Sequence, residues 1–338
     1  MDGLRNVAEG TFESAQEFNE RSAGFEYNAL EIVKPEDESP QCQAHILTQR
    51  ELWKFGISEQ LQRRDSQEGQ PSTFRLIAIP RSHDRSLLIS KEDFWRLFKA
   101  LDLDAWVLYP VARKYFGFNF YRAPNGCTTF FVGTVFYALL WTFDSRSRST
   151  NAIALVRQSN GLKGGNAIYA ELAAMLQDYA SFIDNPYLIV MIAAFHIVRF
   201  LDQSLGVGFD VIREVEAKTG HGAWFDPHGS KMSIDDITVW SRTTGAIRVD
   251  VSNHFRHVEI ATSLLSSITD DSCDMRSCMT KDGQGDYGSS MAELKVVADV
   301  IQRQVNSCKA TTRYLQERVK SQAGVVRLSR SSVSGVSS

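Results

Sequence analysis

Cysteine is scarce and scattered in this 338-residue chain. Cys42, Cys127, Cys273, Cys278 and Cys308 show no C-x-x-C and no metal-finger spacing, which excludes a disulfide-dense secreted scaffold and a zinc-finger array and points to a reducing compartment. No Asn-x-Ser/Thr sequon occurs. An excess of one charge is missing too: 37 basic side chains face 40 acidic ones, for a net charge of -3, so nothing in the global charge attracts nucleic acid. Long hydrophobic runs are absent as well. The two best, Phe130 to Phe143 and Leu188 to Leu201, fall short of the ~20 residues that a bilayer core requires, and the second contains His196 and Arg199. No membrane span is expected. The opening "MDGLRNVAEGTFESAQEF" lacks the basic-then-apolar order of a signal peptide, so a cytoplasmic location is expected.

What is present is enough for a core, with 43% hydrophobic residues in a chain long enough for one large domain or two ordinary ones. Residues 1–70 are charged and irregular around "KPEDESPQ", with a weakly helical "AHILTQRELWKFGISEQLQRR", and are expected to form a partly ordered lead-in. An α/β sheet region is expected over 71–165. "TFRLIAIP" predicts a strand that ends at Pro80, and "SKEDFWRLFKALDL" predicts a helix capped by Ser90 with Asp93 three residues on, burying Phe94, Leu97, Phe98 and Leu101. A less regular helix, interrupted by Pro110 and closed by Gly117, is expected in "AWVLYPVARKYFGF". "TTFFVGTVFYALLWTF" and "NAIALVRQ", separated by "DSRSRST", predict an antiparallel hairpin. Aromatic side chains on both faces of its first strand imply layers on both sides of the sheet.

A mainly helical region is expected over 166–326. It includes "AIYAELAAMLQDYASFI" and a helix opened by Asn185 and Pro186 that kinks near Gly206 and Gly208 and stops at Gly220. Residues 221–235 read as a loop, "HFRHVEIATSLLSSI" as a helix and "DDSCDMRSCMTKDGQGDYGSS" as a mobile linker. The last helix, 289–326, carries the strongest pattern. Met291, Leu294, Ala298, Ile301, Val305, Cys308, Thr312, Leu315, Val319, Gln322 and Val326 follow in steps of three and four, which is a heptad seam. So extended a seam needs long companions, either earlier helices or other copies, and Leu294, Ile301, Val305, Leu315 and Val319 are its candidate oligomer contacts. The alternative is a helix lying on its own domain through Val296, Val297 and Val300. A disordered tail is expected over 327–338.

"FRLIAIPRSHDRSLLISKEDFWRLFKAL", "FYALLWTF" with "NAIALVRQ", the helical region and "YLQERVKSQAGVV" together resemble the cytosolic portion of fungal CorA-like magnesium transporter proteins, over about residues 72–326. The resemblance implies an α/β domain, a stalk-like helix leading to membrane spans, oligomeric assembly with copies of itself or with full-length CorA-like subunits, and Mg2+ as the associated ion. The Gly-Met-Asn pore signature is absent and no span follows Val326. The resemblance therefore implies a non-catalytic soluble domain, unable to transport alone, or a truncated transporter fragment.

Candidate chemistry is sparse. His254 and His257 in "NHFRHVEI" stand three apart, as two metal ligands on one helical face would, but Glu259 lies on another face and no His-Glu-x-x-His is formed. Surface or capping histidines are the simpler reading. "HGAWFDPHG" offers His221, Asp226 and His228, so a metal-dependent enzyme using the His221 to His257 region is the competing class, set against ordinary turn chemistry. His196 reads as a buried core histidine. "GLKGGN" lacks the Gly-Lys-Ser/Thr of a phosphate loop, and "DGQGDYG" lacks calcium-ligand spacing.

Overall fold

The computed structural model describes residues 2–15, 18–19, 24–35, 38–57, 71–82, 86–124, 126–157, 165–220, 233–270, 275 and 281–335. They form an N-terminal seven-stranded mixed sheet and a mostly helical half that ends in a long C-terminal helix. The chain divides into two compact units, one made of 1–193 with 266–298, the other of 194–265 with 299–338.

The first unit holds α1 (Asp2–Ser14), β1 (Glu26–Lys34), β2 (Gln41–Thr48), α2 (Gln49–Ile57), β3 (Ser72–Arg81), α3 (Lys91–Ala100), a 3-10 turn at Ala105–Val107, α4 (Leu108–Ala112), β4 (Gly117–Arg122), β5 (Cys127–Gly133), β6 (Tyr137–Asp144), β7 (Ser149–Arg157) and α5 (Gly165–Asp178). The described part of the expected lead-in, 1–70, belongs to the sheet and its helices. Its Tyr27, Ala29, Leu30 and Ile32 are fully buried in β1, and "AHILT" is strand rather than helix. A capping box starts α2: the Thr48 amide and hydroxyl both donate to Glu51 Oε2 at 2.8 Å.

The sheet order is β2-β1-β3-β7-β6-β5-β4. β3 and β7 pair in parallel and every other pair is antiparallel. Pro80 does not end β3. It pairs with Val156 on β7 beyond the reach of β1, whose pairing stops at Ile77, so the missing N–H costs no ladder bond. The expected single strand before β7 is two strands, because the chain turns back between Gly133 and Tyr137. A Cβ on Gly133 would stand 2.0 Å from the Tyr115 carbonyl oxygen, so only glycine fits at that turn. The β6–β7 hairpin forms as expected. The helix expected to close at Gly117 ends sooner, and "GFNFYR" is β4.

Both sheet faces are covered. On one, Ile77, Ile79, Ile153, Leu155, Leu140 and Phe131 join Ala8 and Phe12 of α1 and Phe94, Leu97 and Phe98 of α3 in a single core. Ser90 Oγ caps α3 by accepting from the Asp93 amide at 3.0 Å. On the other face Phe130 stacks on Trp141 at 4.9 Å and meets Tyr187 edge-on. One file interrupts the first face. Glu31, Arg75, Asn151, Thr142, Thr129 and Tyr121 stand opposite one another from β1 to β4. Arg75 Nε donates to Glu31 Oε1 at 2.8 Å, and Asp104 N donates to Thr129 Oγ1 at 3.2 Å. Asn151 Oδ1 and Thr142 Oγ1 are buried without a hydrogen-bond partner among the described residues.

Three long helices follow: α6 (Leu188–Thr219), α7 (Ile234–Thr269) and α8 (Lys281–Gly335). Asn185 Oδ1 accepts from the Tyr187 amide at 2.9 Å just before α6. α6 continues through Gly206 and Gly208, so no break occurs there, and Gly220 stops it at φ +69°. Among the described residues α6 is the one helix long and apolar enough to cross a membrane, and 67% of its most apolar window is buried in the protein. α7 begins far before the expected helix, with a box in which the Asp236 amide donates to Ser233 Oγ at 3.1 Å. The expected linker at 281–290 is the start of α8, anchored by buried Tyr287. The expected tail is helical to Gly335.

In the second unit, α6 and α7 run antiparallel, with Ser204 beside His254 and Phe200 beside His257. α6 and α8 run parallel, with Phe209 beside Tyr314 and Thr219 beside Gln322. All eleven seam residues of α8 are buried within the single chain. Leu294, Ile301, Val305, Leu315 and Val319, the expected oligomer contacts, are each buried in this way. Val296 and Val300, which the alternative used as core contacts, are 66% and 49% exposed.

Candidate functional site

His254 and His257 lie on the inner face of α7, and both are buried. They are neither surface nor capping residues. His254 Nε2 and Ser204 Oγ on α6 are 2.8 Å apart. The His257 ring meets Phe200 edge-on at 5.6 Å. Burial lowers the His254 pKa, with Asp250 opposing. Burial first, then the neighbouring His254, Arg256 and His196, hold His257 down to about 4, against a backbone hydrogen bond to Asn253. Both rings are therefore neutral near pH 7. His196 is buried as expected.

A serine hydroxyl at hydrogen-bond distance from a neutral imidazole has the geometry of a nucleophile and base. Among the described residues no third group orients the ring, since His254 Nδ1 is buried without a hydrogen-bond partner there. Among the described residues, no group of three or more His, Cys, Asp or Glu side chains converges to hold a metal ion. Among the described residues no further ligand joins the weak metal candidates His254 and His257, and the pair ties α7 to α6. His221, Asp226 and His228 lie outside the described residues, as does "GLKG". The described thiols are protonated: burial raises Cys42 and Cys308 and pushes Cys127 up to about 12.

Sequence reasoning missed a buried ion pair in this unit. Glu216 on α6 and Arg318 on α8 form a two-pronged ion pair, Nε to Oε1 at 2.8 Å and Nη2 to Oε2. Their side chains are 6% and 16% exposed. The guanidinium also lies over Phe209 and Tyr314, 5.6 and 5.7 Å from the ring centroids. One turn on, Thr219 Oγ1 donates to Gln322 Oε1 at 2.9 Å. The only sequence signal was that charged Glu216 falls among apolar positions of α6.

Away from its buried seam, α8 carries strongly exposed Val296 in the first unit and Val300, Tyr314 and Leu328 in the second, Tyr314 also meeting Phe209 of α6. At 100° per residue they fall within about 80° of arc. Separate exposed apolar side chains are ordinary, whereas a file along one long helix is a surface on which another helix can pack. No protein-family model matches this chain, and no curated protein matches its sequence.

Proposed function

We propose that this chain is a non-catalytic, CorA-like cytosolic domain associated with divalent cation (magnesium) transport or its regulation. It acts by oligomerisation with its own copies or with full-length CorA-like subunits, and does not transport by itself. The order of elements supports this: a covered α/β sheet, then three long helices, the last unbroken for 55 residues. That is the order which the sequence resemblance implies for a domain bearing a stalk. The buried seam leaves the outer file of α8 for assembly.

The experiment is light scattering over a rising concentration series, with and without a full-length CorA-like subunit. Association is expected, and changing Val296→Glu together with Val300→Glu abolishes it while circular dichroism stays unchanged. A chain that remains monomeric at high micromolar concentration and ignores the full-length subunit refutes the proposal.

A further inference from the structure

Within the second unit, α7 and α8 enclose a cleft of about 460 Å³, in the size range of small-molecule sites, roughly 300–1,000 Å³. Its chemistry is one-sided. Arg242 and Arg248 enter from α7 and Arg327 from α8, Thr238 and Ser241 add hydroxyl groups, and no Asp or Glu is among the described residues that line it. Arg242 and Arg248 make no ion pair among the described residues. In a chain of net charge -3, a cleft whose described lining has three guanidinium groups and no carboxylate is a local reversal of sign.

The floor between the two α7 arginines is open. Gly245 stands three residues from each, and a Cβ built on it meets nothing within 4 Å. Two planar forks one helical turn either side of a bare backbone can close on an anion from both ends. Guanidinium groups match the oxygens of a phosphate two at a time. Ile237 and Val326 supply apolar wall beside them, which a bare ion does not need and an organic group does.

We infer that this cleft binds the phosphate of an organophosphate, held by Arg242, Arg248 and Arg327 over Gly245, with its organic part against Ile237 and Val326. A soluble nucleotide and a phospholipid headgroup share that chemistry. The inference is independent of any role in cation transport.

The test is titration of the full chain with adenosine diphosphate, with pyrophosphate, and with phosphatidylcholine vesicles containing phosphatidic acid. Saturable binding that weakens with added salt is expected. Arg242→Gln and Arg248→Gln should each weaken it roughly ten-fold or more, as loss of a charged hydrogen bond does. Gly245→Leu should abolish it by filling the floor, with helical content kept, and Arg303→Gln on the outer side of α8 should leave it unchanged. Binding to the nucleotide or pyrophosphate assigns a soluble ligand, and binding to vesicles alone assigns a headgroup. No binding to any probe overturns the inference. So does binding that survives Gly245→Leu, or that falls equally with Arg303→Gln.

Discussion

Acidification should loosen the helical unit through His257. In the unfolded chain this imidazole titrates near 6.5, and in the folded protein burial holds it down to about 4. The folded state is therefore the poorer proton acceptor. Its stability is fully present above 6.5 and is lost as pH falls toward 4. At about pH 5 the unfolded ring is almost fully protonated and the folded one is not, which removes roughly 2 kcal/mol, rising to roughly 3.4 kcal/mol below both values. His254 acts in the same direction. His257→Met keeps an apolar side chain against Phe200 and removes the titration. Hydrogen exchange of α7 amides at neutral pH and near pH 5 reads the local stability. Wild type should lose about 2 kcal/mol more than the variant between them. Equal losses in both proteins would refute the claim that a buried neutral ring drives the effect.

Glu216→Ala should destabilise the bundle by about 2–3 kcal/mol, below the usual cost of breaking a buried pair because Arg318 retains some access to water. Glu216→Leu combined with Arg318→Met should recover most of that loss, read as the midpoint of thermal unfolding. Gly206→Ala should raise helix stability by about 0.5–1 kcal/mol, since its Cβ meets nothing. Gly208→Ala should gain less or lose, because its Cβ would come 2.9 Å from a Leu315 methyl. Equal midpoints for the two alanine variants would show that α6 and α8 approach less closely than described.

The legible parts of this fold were those where pattern and punctuation agree. α3 has a cap, an apolar face and a clear start, and α8 has an unbroken seam. β1 was missed because its alternation is short and lies between charged stretches, although Tyr27, Ala29 and the adjoining apolar pair Leu30 and Ile32 are as buried as any strand. β5 and β6 read as one strand because both are buried on both faces and the turn between them is short, marked only by Gly133 and by Thr134, whose hydroxyl bonds the Tyr137 backbone. The capping boxes Thr48 to Glu51 and Ser233 to Asp236 were available signals for α2 and α7. The Glu216–Arg318 pair and the arginine cleft were not readable, because each unites helices distant in sequence. Which residues would face each other depended on the register between α6, α7 and α8, and no local pattern states it.

The hydrophilic row from Glu31 to Tyr121 sets a penalty on mispairing during folding. Sliding any inner strand by one residue would turn its charged or hydroxyl-bearing member to the opposite side, and sliding by two would lodge it among leucines and phenylalanines beneath α3. Neighbouring strands that are otherwise interchangeable stretches of valine, isoleucine and phenylalanine thereby acquire a single address. A chain with so aromatic a sheet can find its one alignment because the wrong ones strand a guanidinium or an amide in oil.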